Sequence, residues 1–384
     1  MLTKYFSWKI MVCSLAVLVL ANCKVPYDPA LKSTKVNNLV VEGFIDGASP
    51  TTIKLSRTRQ ISVGDTTALK FEKNARVSIE DNQRGQYPLI ETGNGNYVSS
   101  GILSLNPAFR YRVHIFTTDG KEYLSDLVAF KTSPSIDNIG MKFKDGDAQI
   151  FVNTHDPNNA TKYYRWEYNE TWEFHTTYNS FLKYNPDSNK VFPRTDKVNI
   201  CWRNAGFTTI ILGSSAKLSS DVINEMPLVL IPNHNKRLSL LYSILVKQYA
   251  LDLDGYNYWQ AMKSNTESVG SIFDPQPNQT TGNIHCTTRA DEVVVGYVGA
   301  GSSFTKRVFI PNSAVPADWN QIPFCDTYDV LNNPDSLKFY FLEGDLSPIS
   351  EKALATRQTA YFSSRVQCVD CTLDGTNVKP SFWP

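Results

Sequence analysis

Between Tyr163 and His175 the chain alternates with a period of two. Tyr164, Trp166, Tyr168, Glu170, Trp172 and Phe174 fall on one side, and Arg165, Glu167, Asn169, Thr171 and Glu173 on the other. Successive side chains of a strand point to opposite faces of a sheet, so the pattern describes one long strand. Its aromatic face turns to a core and its polar face to solvent. Glu170 is the exception on the apolar side. Aromatic residues make up 12% of the chain, and alternating rings of this kind are usually sandwich core.

The same β signature extends in both directions. Leu39–Ile45, Thr52–Ser56, Ala75–Ile79 and Tyr111–Ile115 are apolar or alternating runs. They are separated by the turn signals Asp46-Gly47, Asn94-Gly95 and Asp119-Gly120. Short strands at this spacing predict an immunoglobulin-like β-sandwich over residues 39–134, with Val128-Ala129-Phe130 its last strand and Pro134 its exit. Residues 135–384 form a second β-rich domain. In it Met141–Phe143 and Ala148–Val152 flank the turn Asp145-Gly146-Asp147, and further strands run through Leu238 to Ala250. A short helical insertion is predicted near 254–267, capped by Asp254, with Tyr256, Trp259 and Met262 spaced by three. Glu292–Val298 and Phe304–Ile310 read as a hairpin about Gly299-Ala300-Gly301, and a further helix is predicted near Asp345 to Ala355. The fold class is therefore mainly β: two β-sandwich-like domains of immunoglobulin/fibronectin type, the second with a helical insertion.

The N-terminus carries a different kind of signal. Lys4 and Lys9 precede an apolar run from Ile10 to Ala21, which ends at Asn22-Cys23. A basic n-region, an apolar h-region of about a dozen residues and a cleavage site are the parts of a secretory signal. The run falls short of the roughly 20 apolar residues that span a bilayer. A cysteine directly after it resembles the bacterial lipoprotein signal, in which residues 1–22 are removed and the Cys23 thiol is acylated with a palmitate-type chain. Asn22 departs from the usual small residue at that position. Residues 23–38 are polar, carry Pro26 and Pro29, and read as a lipidated tether that reaches roughly 50 Å when extended.

Charge and cysteine usage narrow the classes further. The formal charge is +1, and loss of Lys4 and Lys9 with the signal leaves −1. Without long basic runs, nothing favours nucleic-acid binding. Of seven cysteines, Cys13 leaves with the signal and Cys23 takes the lipid. Among the remaining five, one disulfide from Cys325 to either Cys368 or Cys371 is expected, in keeping with an oxidising compartment. Cys368-x-x-Cys371 has no companion pair of ligands, so no metal site is assigned. The five histidines are scattered. Glu173 with His175, and His285 beside Cys286, are better read as polar pairs on a strand than as catalytic or metal couples. No nucleophile elbow or phosphate loop is present, so no catalytic residue and no cofactor is assigned. Asp65-Thr66-Thr67 and Asp335-Ser336-Leu337 resemble a short O-glycosylation sequon. Residues 176–195 read as a long proline-broken loop. Its Tyr178, Phe181, Tyr184 and Phe192 are a candidate binding surface or, equally, a cover over an open sheet edge.

Several stretches together resemble a Bacteroidota lipoprotein family known as domain of unknown function 4249. They are Leu39–Gly43, Tyr163–Trp166 with Glu170-Thr171, Tyr242–Tyr249, Gly270–Pro277 leading to Gly282–Ile284, Gly296-Tyr297 and Lys306–Ile310. The ending Cys368–Cys371 with Lys379–Trp383 completes the likeness. It implies a lipid-anchored outer-membrane protein, on the cell surface or the periplasmic face, often encoded beside a TonB-dependent receptor. The expectation is thus a non-enzymatic accessory or substrate-capture subunit of such a transporter, its ligand unassigned. The alternative is a stand-alone surface adhesion or glycan-binding module.

Overall fold

The computed structural model describes residues 37–59, 70–267, 282–319, 324–355 and 358–384. The signal, the acceptor Cys23, the tether up to residue 36, Asp65 and the segment from Gly270 to Pro277 lie outside the described residues.

Nine strands come first: β1 (Leu39–Asp46), β2 (Thr52–Arg57), β3 (Lys70–Phe71), β4 (Arg76–Asp81), β5 (Gln86–Gly93), β6 (Asn96–Ser99), β7 (Arg110–Phe116), β8 (Glu122–Ser125) and β9 (Val128–Thr132). The run β9-β7-β4-β5-β6-β2-β1 is antiparallel throughout. Period-two burial sends Val77 and Ile79 of β4, and Tyr111, Val113 and Ile115 of β7, into one core with Leu39, Ile53 and Leu55. Taken alone, this sheet would leave β1 and β9 with open edges, the usual liability of a β structure.

The next strands build a sandwich. They are β10 (Ile136–Lys144), β11 (Asp147–His155), β12 (Tyr163–His175), β13 (Leu182–Asn185), β14 (Lys190–Pro193), β15 (Ile200–Gly206), β16 (Ile211–Ser214), β17 (Val222–Ile231) and β18 (Leu241–Leu251). One sheet is β10-β11-β17; the other is centred on β12, flanked by β15 and β16 on one side and β18 on the other. Ile150 and Val152 of β11 share a core with Tyr164, Trp166, Trp172 and Phe174 of β12 and with Ile244 and Val246 of β18. Fully burying one such side chain contributes about 1.5–3 kcal/mol. The polar end of Trp166 is satisfied: its Nε1 donates to Gln248 Oε1 at 2.8 Å, and the Gln248 amide donates to Pro134 O at 2.8 Å, whereas the Trp172 indole N–H has no partner among the described residues.

Helix α1 (Leu253–Glu267) follows β18 directly. Its cap is Asp252, whose Oδ1 accepts from Gly255 N at 2.8 Å. Asp254, the expected cap, stands inside the first turn, because the cap and the helix start fall two residues earlier than the spacing of Tyr256 and Trp259 implied.

The chain then returns to the first sheet. β19 (Ile284–Cys286) pairs with β8, and β20 (Gly299–Ser302) lies parallel to both β1 and β9. This closes a barrel of eight strands, β1-β2-β6-β5-β4-β7-β9-β20. The mainly β class stands, but the sandwich expected for 39–134 is a barrel, and residues 39–134 do not complete it. The expected hairpin about Gly299-Ala300-Gly301 is also replaced. The glycines serve close strand approach rather than a turn, since a Cβ at Gly301 would sit 2.0 Å from Lys131 O. After Ser303 the chain crosses to the sandwich, where β21 (Phe304–Pro311) pairs with β18.

The C-terminal sheet has the order β22-β24-β23, formed by β22 (Thr327–Leu331), β23 (Leu346–Ala353) and β24 (Thr359–Arg365). A single helical turn, α2 (Pro334–Leu337), sits between its first two strands. The helix expected near Asp345 to Ala355 is β23 instead. Pairing with β24, across an irregularity at Pro348/Ser350, overrides the helix-favouring run Glu351-Lys352-Ala353.

Candidate functional site

β12 and β18 are antiparallel neighbours in a register that sets Arg165 opposite Tyr249 and Glu167 opposite Lys247. Directly opposed residues share a face, so these four side chains stand together on the side of the sheet away from the sandwich core. Helix α1 lays Trp259 over them. The Arg165 guanidinium is held between two rings, 4.5 Å from the Tyr249 centroid and 4.3 Å from that of Trp259. Such cation–π contacts are worth about 0.5–2 kcal/mol each. Arg165 Nη1 pairs with Glu167 Oε1 at 2.8 Å, and the Tyr249 hydroxyl donates to Glu167 Oε2 at 2.8 Å. Burial, followed by the Glu167 charge, pushes the Tyr249 pKa far up, so its hydroxyl keeps its proton as a donor.

These residues line a cleft of about 490 Å³, bordered also by Phe44 of β1 and by Phe207 and Ile210 between β15 and β16. Charge in it is balanced, with Lys54, Arg165 and Lys247 against Glu42, Asp46 and Glu167. Asp46 and Arg165 are the buried members, 2% and 9% exposed, and the Nε of Arg165 has no hydrogen-bond partner among the described residues. A buried donor left unmade costs about 1–3 kcal/mol.

The far wall is pinned by Asp46, the last residue of β1. Its carboxylate accepts from Ser303 N at 3.0 Å, Ser303 Oγ at 2.6 Å, Ser49 Oγ at 2.7 Å and Ala48 N at 2.9 Å, and pairs with Lys247 Nζ at 2.9 Å. Burial by itself raises an aspartate pKa, but the bonds from Ser303, Ser49 and Ala48 outweigh it and hold Asp46 below its usual value. Barrel strand, crossover and sandwich strand thus meet on one carboxylate, which keeps the cleft walls in register.

The sequence matches the family described as Domain of unknown function (DUF4249) over residues 24–307. The chain belongs to this family. The whole cleft lies inside the matched span, whereas the C-terminal sheet lies beyond it. No curated protein matches. Two solved structures align in part. A two-domain fibronectin type III segment of chicken tenascin is 11% identical, covering 56% of this chain and 93% of that one, with a TM-score of 0.17. A protein described as membrane anchored, from Corynebacterium diphtheriae, is 14% identical, covering 56% and 55%, with a TM-score of 0.16. The chain spans about half the length of the latter, and superposition this loose carries no argument about site or activity.

The residues singled out from sequence lie elsewhere. The 176–195 segment contains the hairpin β13–β14 rather than an unstructured loop. Its register pairs Leu182 with Pro193 and Tyr184 with Val191, and this face packs on the C-terminal core of Val330, Leu337, Leu346 and Tyr361. The four rings are divided between its two sides. Tyr178 meets Phe362 at 5.9 Å and donates to Cys325 O, and Tyr184 meets Phe341 at 5.7 Å. Phe181 and Phe192 are exposed. They do not form one platform. Cys325 is bonded to Cys368 and Cys371 to Cys201, while Cys286 is a buried thiol. Glu173 and His175 pair at 2.9 Å on the outer surface, with the second Glu173 oxygen taken by Trp383 Nε1. His285 reaches Asp126 at 3.3 Å.

Sequence reasoning passed over Arg165, Lys247 and Asp46. Arg165 and Glu167 read as a solvated strand face, and Asp46 as half of an Asp-Gly turn. The one local signal was Trp259, on one side of the helix predicted to follow these strands.

Proposed function

We propose that this chain is a lipid-anchored, non-enzymatic binding protein of the outer membrane that serves a TonB-dependent transporter as a substrate-capture subunit. The observation that carries the binding role is the cleft between barrel and sandwich: aromatic walls, balanced charge and a buried guanidinium with an unmet donor. Pockets of roughly 300–1,000 Å³ with apolar walls and a few placed polar groups suit small ligands. The polar groups there are tied into ion pairs and lack a nucleophile–base couple, which favours capture over turnover. Acylation at Cys23 and the tether behind it would hold the folded part at the membrane surface, with two or more acyl chains needed for stable attachment. The transporter partner rests on the family resemblance.

Affinity purification of the tagged, full-length protein from detergent-solubilised outer membrane tests this reading. A large β-barrel receptor recovered in stoichiometric amount is the expected result, and recovery of the lipoprotein alone overturns the partner. Mass spectrometry of the mature N-terminus tests the anchor, an unmodified Cys23 being the adverse outcome. Because ring surface is open in the cleft, a stand-alone glycan-binding module is the second reading. Glycan-array binding without any receptor in the purification would select it.

A further inference from the structure

We infer that the outer face of the β13–β14 hairpin docks on an anionic lipid surface, with Phe181 and Phe192 entering the headgroup layer and Lys183 and Lys190 meeting lipid phosphates. This contact is separate from the cleft and needs no acylation of Cys23. Three observations lead to it.

First, the register gives the hairpin two unlike faces. Directly opposed residues share a face, and Leu182, Tyr184 and Val191 pack on the C-terminal core. The alternate pairs, Lys183 with Phe192 and Asn185 with Lys190, therefore face away from that core. Phe181, one residue before Leu182, falls on the same outer side. Phe181 is 63% exposed and Phe192 44%, and both lysines are exposed beside them. Secondly, the charge on this face has one sign. Neither Lys183 nor Lys190 pairs with a carboxylate among the described residues. The nearest acids in sequence are Asp187, at the turn, and Asp196, which Arg194 holds at 3.1 Å. Exposed phenylalanines flanked by unpaired lysines suit the boundary of an anionic bilayer, where apolar surface is buried and each cation adds attraction. Protein interfaces are depleted in lysine, so the combination favours lipid over a protein partner. Thirdly, the face is held in place. Phe181 N donates to Ile349 O at 3.0 Å, Arg194 N to Phe181 O at 2.8 Å, and Asn189 Nδ2 to Pro334 O at 3.0 Å. The rings are thus presented by a fixed element. A tether that reaches roughly 50 Å when extended keeps the body near a membrane without choosing which side meets it, and a second contact of this kind makes that choice.

Vesicle flotation tests the contact on the full mature chain carrying Cys23→Ser, so that no acyl chain contributes. The vesicles are phosphatidylcholine alone and an equal mixture of phosphatidylcholine and phosphatidylglycerol. The mixed vesicles should bind at least about five-fold more tightly, and high salt should remove the difference. Lys183→Glu with Lys190→Glu should erase the preference. Phe181→Ser with Phe192→Ser should weaken binding to the mixed vesicles by about ten-fold. Ile102→Ser, between β6 and β7 and also 63% exposed, should leave it unchanged. Equal binding to both vesicles, binding to neither, or wild-type binding in either double variant overturns the inference. All four positions are exposed, so thermal melts of the variants should match the wild type; should one pair not fold, the other decides alone. A receptor that co-purifies with the wild type and is lost from Phe181→Ser with Phe192→Ser, in the absence of vesicle binding, would make the face a protein dock and overturn the lipid contact. The anchor is read separately: vesicle binding with an unmodified native Cys23 defeats only the anchor, and an acylated Cys23 without vesicle binding by the unacylated chain defeats only this contact.

Discussion

Two glutamates of β12, Glu167 and Glu170, are each met by an arginine and a tyrosine of β18, with a tryptophan ring against the arginine, yet their surroundings are inverted. At Glu170 the anion is the buried partner. Arg237 Nη1 reaches its two oxygens at 3.1 and 3.3 Å, the Tyr242 hydroxyl donates at 2.8 Å, and Arg237 itself lies half-exposed over Trp172. At Glu167 the cation is the buried partner: Arg165 is stacked under Trp259 while the carboxylate stands nearer the rim, at 25% exposure. The buried carboxylate is fully bonded, whereas the buried guanidinium keeps an unpaired Nε. An ion pair closed on itself holds a core, whereas the other leaves a buried donor unmade beside a cleft. The same residue types give both outcomes, and the difference is which charge was taken out of water and whether its bonds were completed.

The largest effect should come from Glu167→Ala. Removing that carboxylate leaves the buried Arg165 cation uncompensated, at a cost of about 3–5 kcal/mol in urea unfolding. Glu170→Ala should cost less, about 1–3 kcal/mol, since the half-exposed Arg237 can turn to water and the Tyr242 hydroxyl is the group left buried and unmet. Equal losses in the two variants would break the comparison.

The closed side is also the stapled one. Cys201, opposite Phe174 in the β12–β15 ladder, is bonded to Cys371 across 170 residues of sequence. Cys201→Ser should cost about 2–4 kcal/mol, and hydrogen exchange should rise first around Phe174 and Cys201 rather than at Arg165. Uniform loosening of both regions would argue that they unfold as one unit.

Smaller again is the tyrosine pair. Tyr242→Phe removes a hydrogen bond to a buried charge, worth about 1.5–3 kcal/mol. Tyr249→Phe should cost about 1 kcal/mol or less, because Glu167 can turn to solvent. Thermal unfolding of the two variants side by side checks the order.

The smallest effect is in pH dependence, where two carboxylates act in opposite directions. Glu170 is raised above its usual 4.5, chiefly by burial, which outweighs Tyr242 and Arg237. The native state therefore holds a proton that the unfolded chain has lost. The stability this contributes is complete below pH 4.5 and fades as pH rises through the folded pKa. Glu170→Gln should flatten that limb. Asp46 is held below its usual 3.8 and contributes stability above that pH, lost as pH falls through its folded value, and Asp46→Asn should flatten the acid limb instead. Stability curves from pH 2 to 7 would separate the two, and a shared slope in both variants would remove the distinction.

Strand identity was legible wherever the signal was local. The aromatic side of β12 is buried as its period demanded, with Tyr164 and Trp166 almost inaccessible. The turn at Asp145-Gly146 joins β10 to β11, with both residues at positive φ. A helix does follow β18. Errors arose where a distant segment decided the outcome. Gly299-Ala300-Gly301 has the composition of a turn, and only the gap between β1 and β9 makes it a strand. The 176–195 segment looks like a loop until its apolar face is set against Val330 and Tyr361.

By itself the sequence determined the β class, the inward face of each long strand and the place of the helix, because periodicity is a property of neighbouring residues. The tertiary structure alone decided that the barrel closes through residues 299–302 and that Glu170 is answered by Arg237. It also decided that Arg165, on a nominally solvated face, is buried under Trp259. Each of those depends on contacts between segments far apart in the chain, where no local pattern records which partner will arrive or how completely it will satisfy a buried charge.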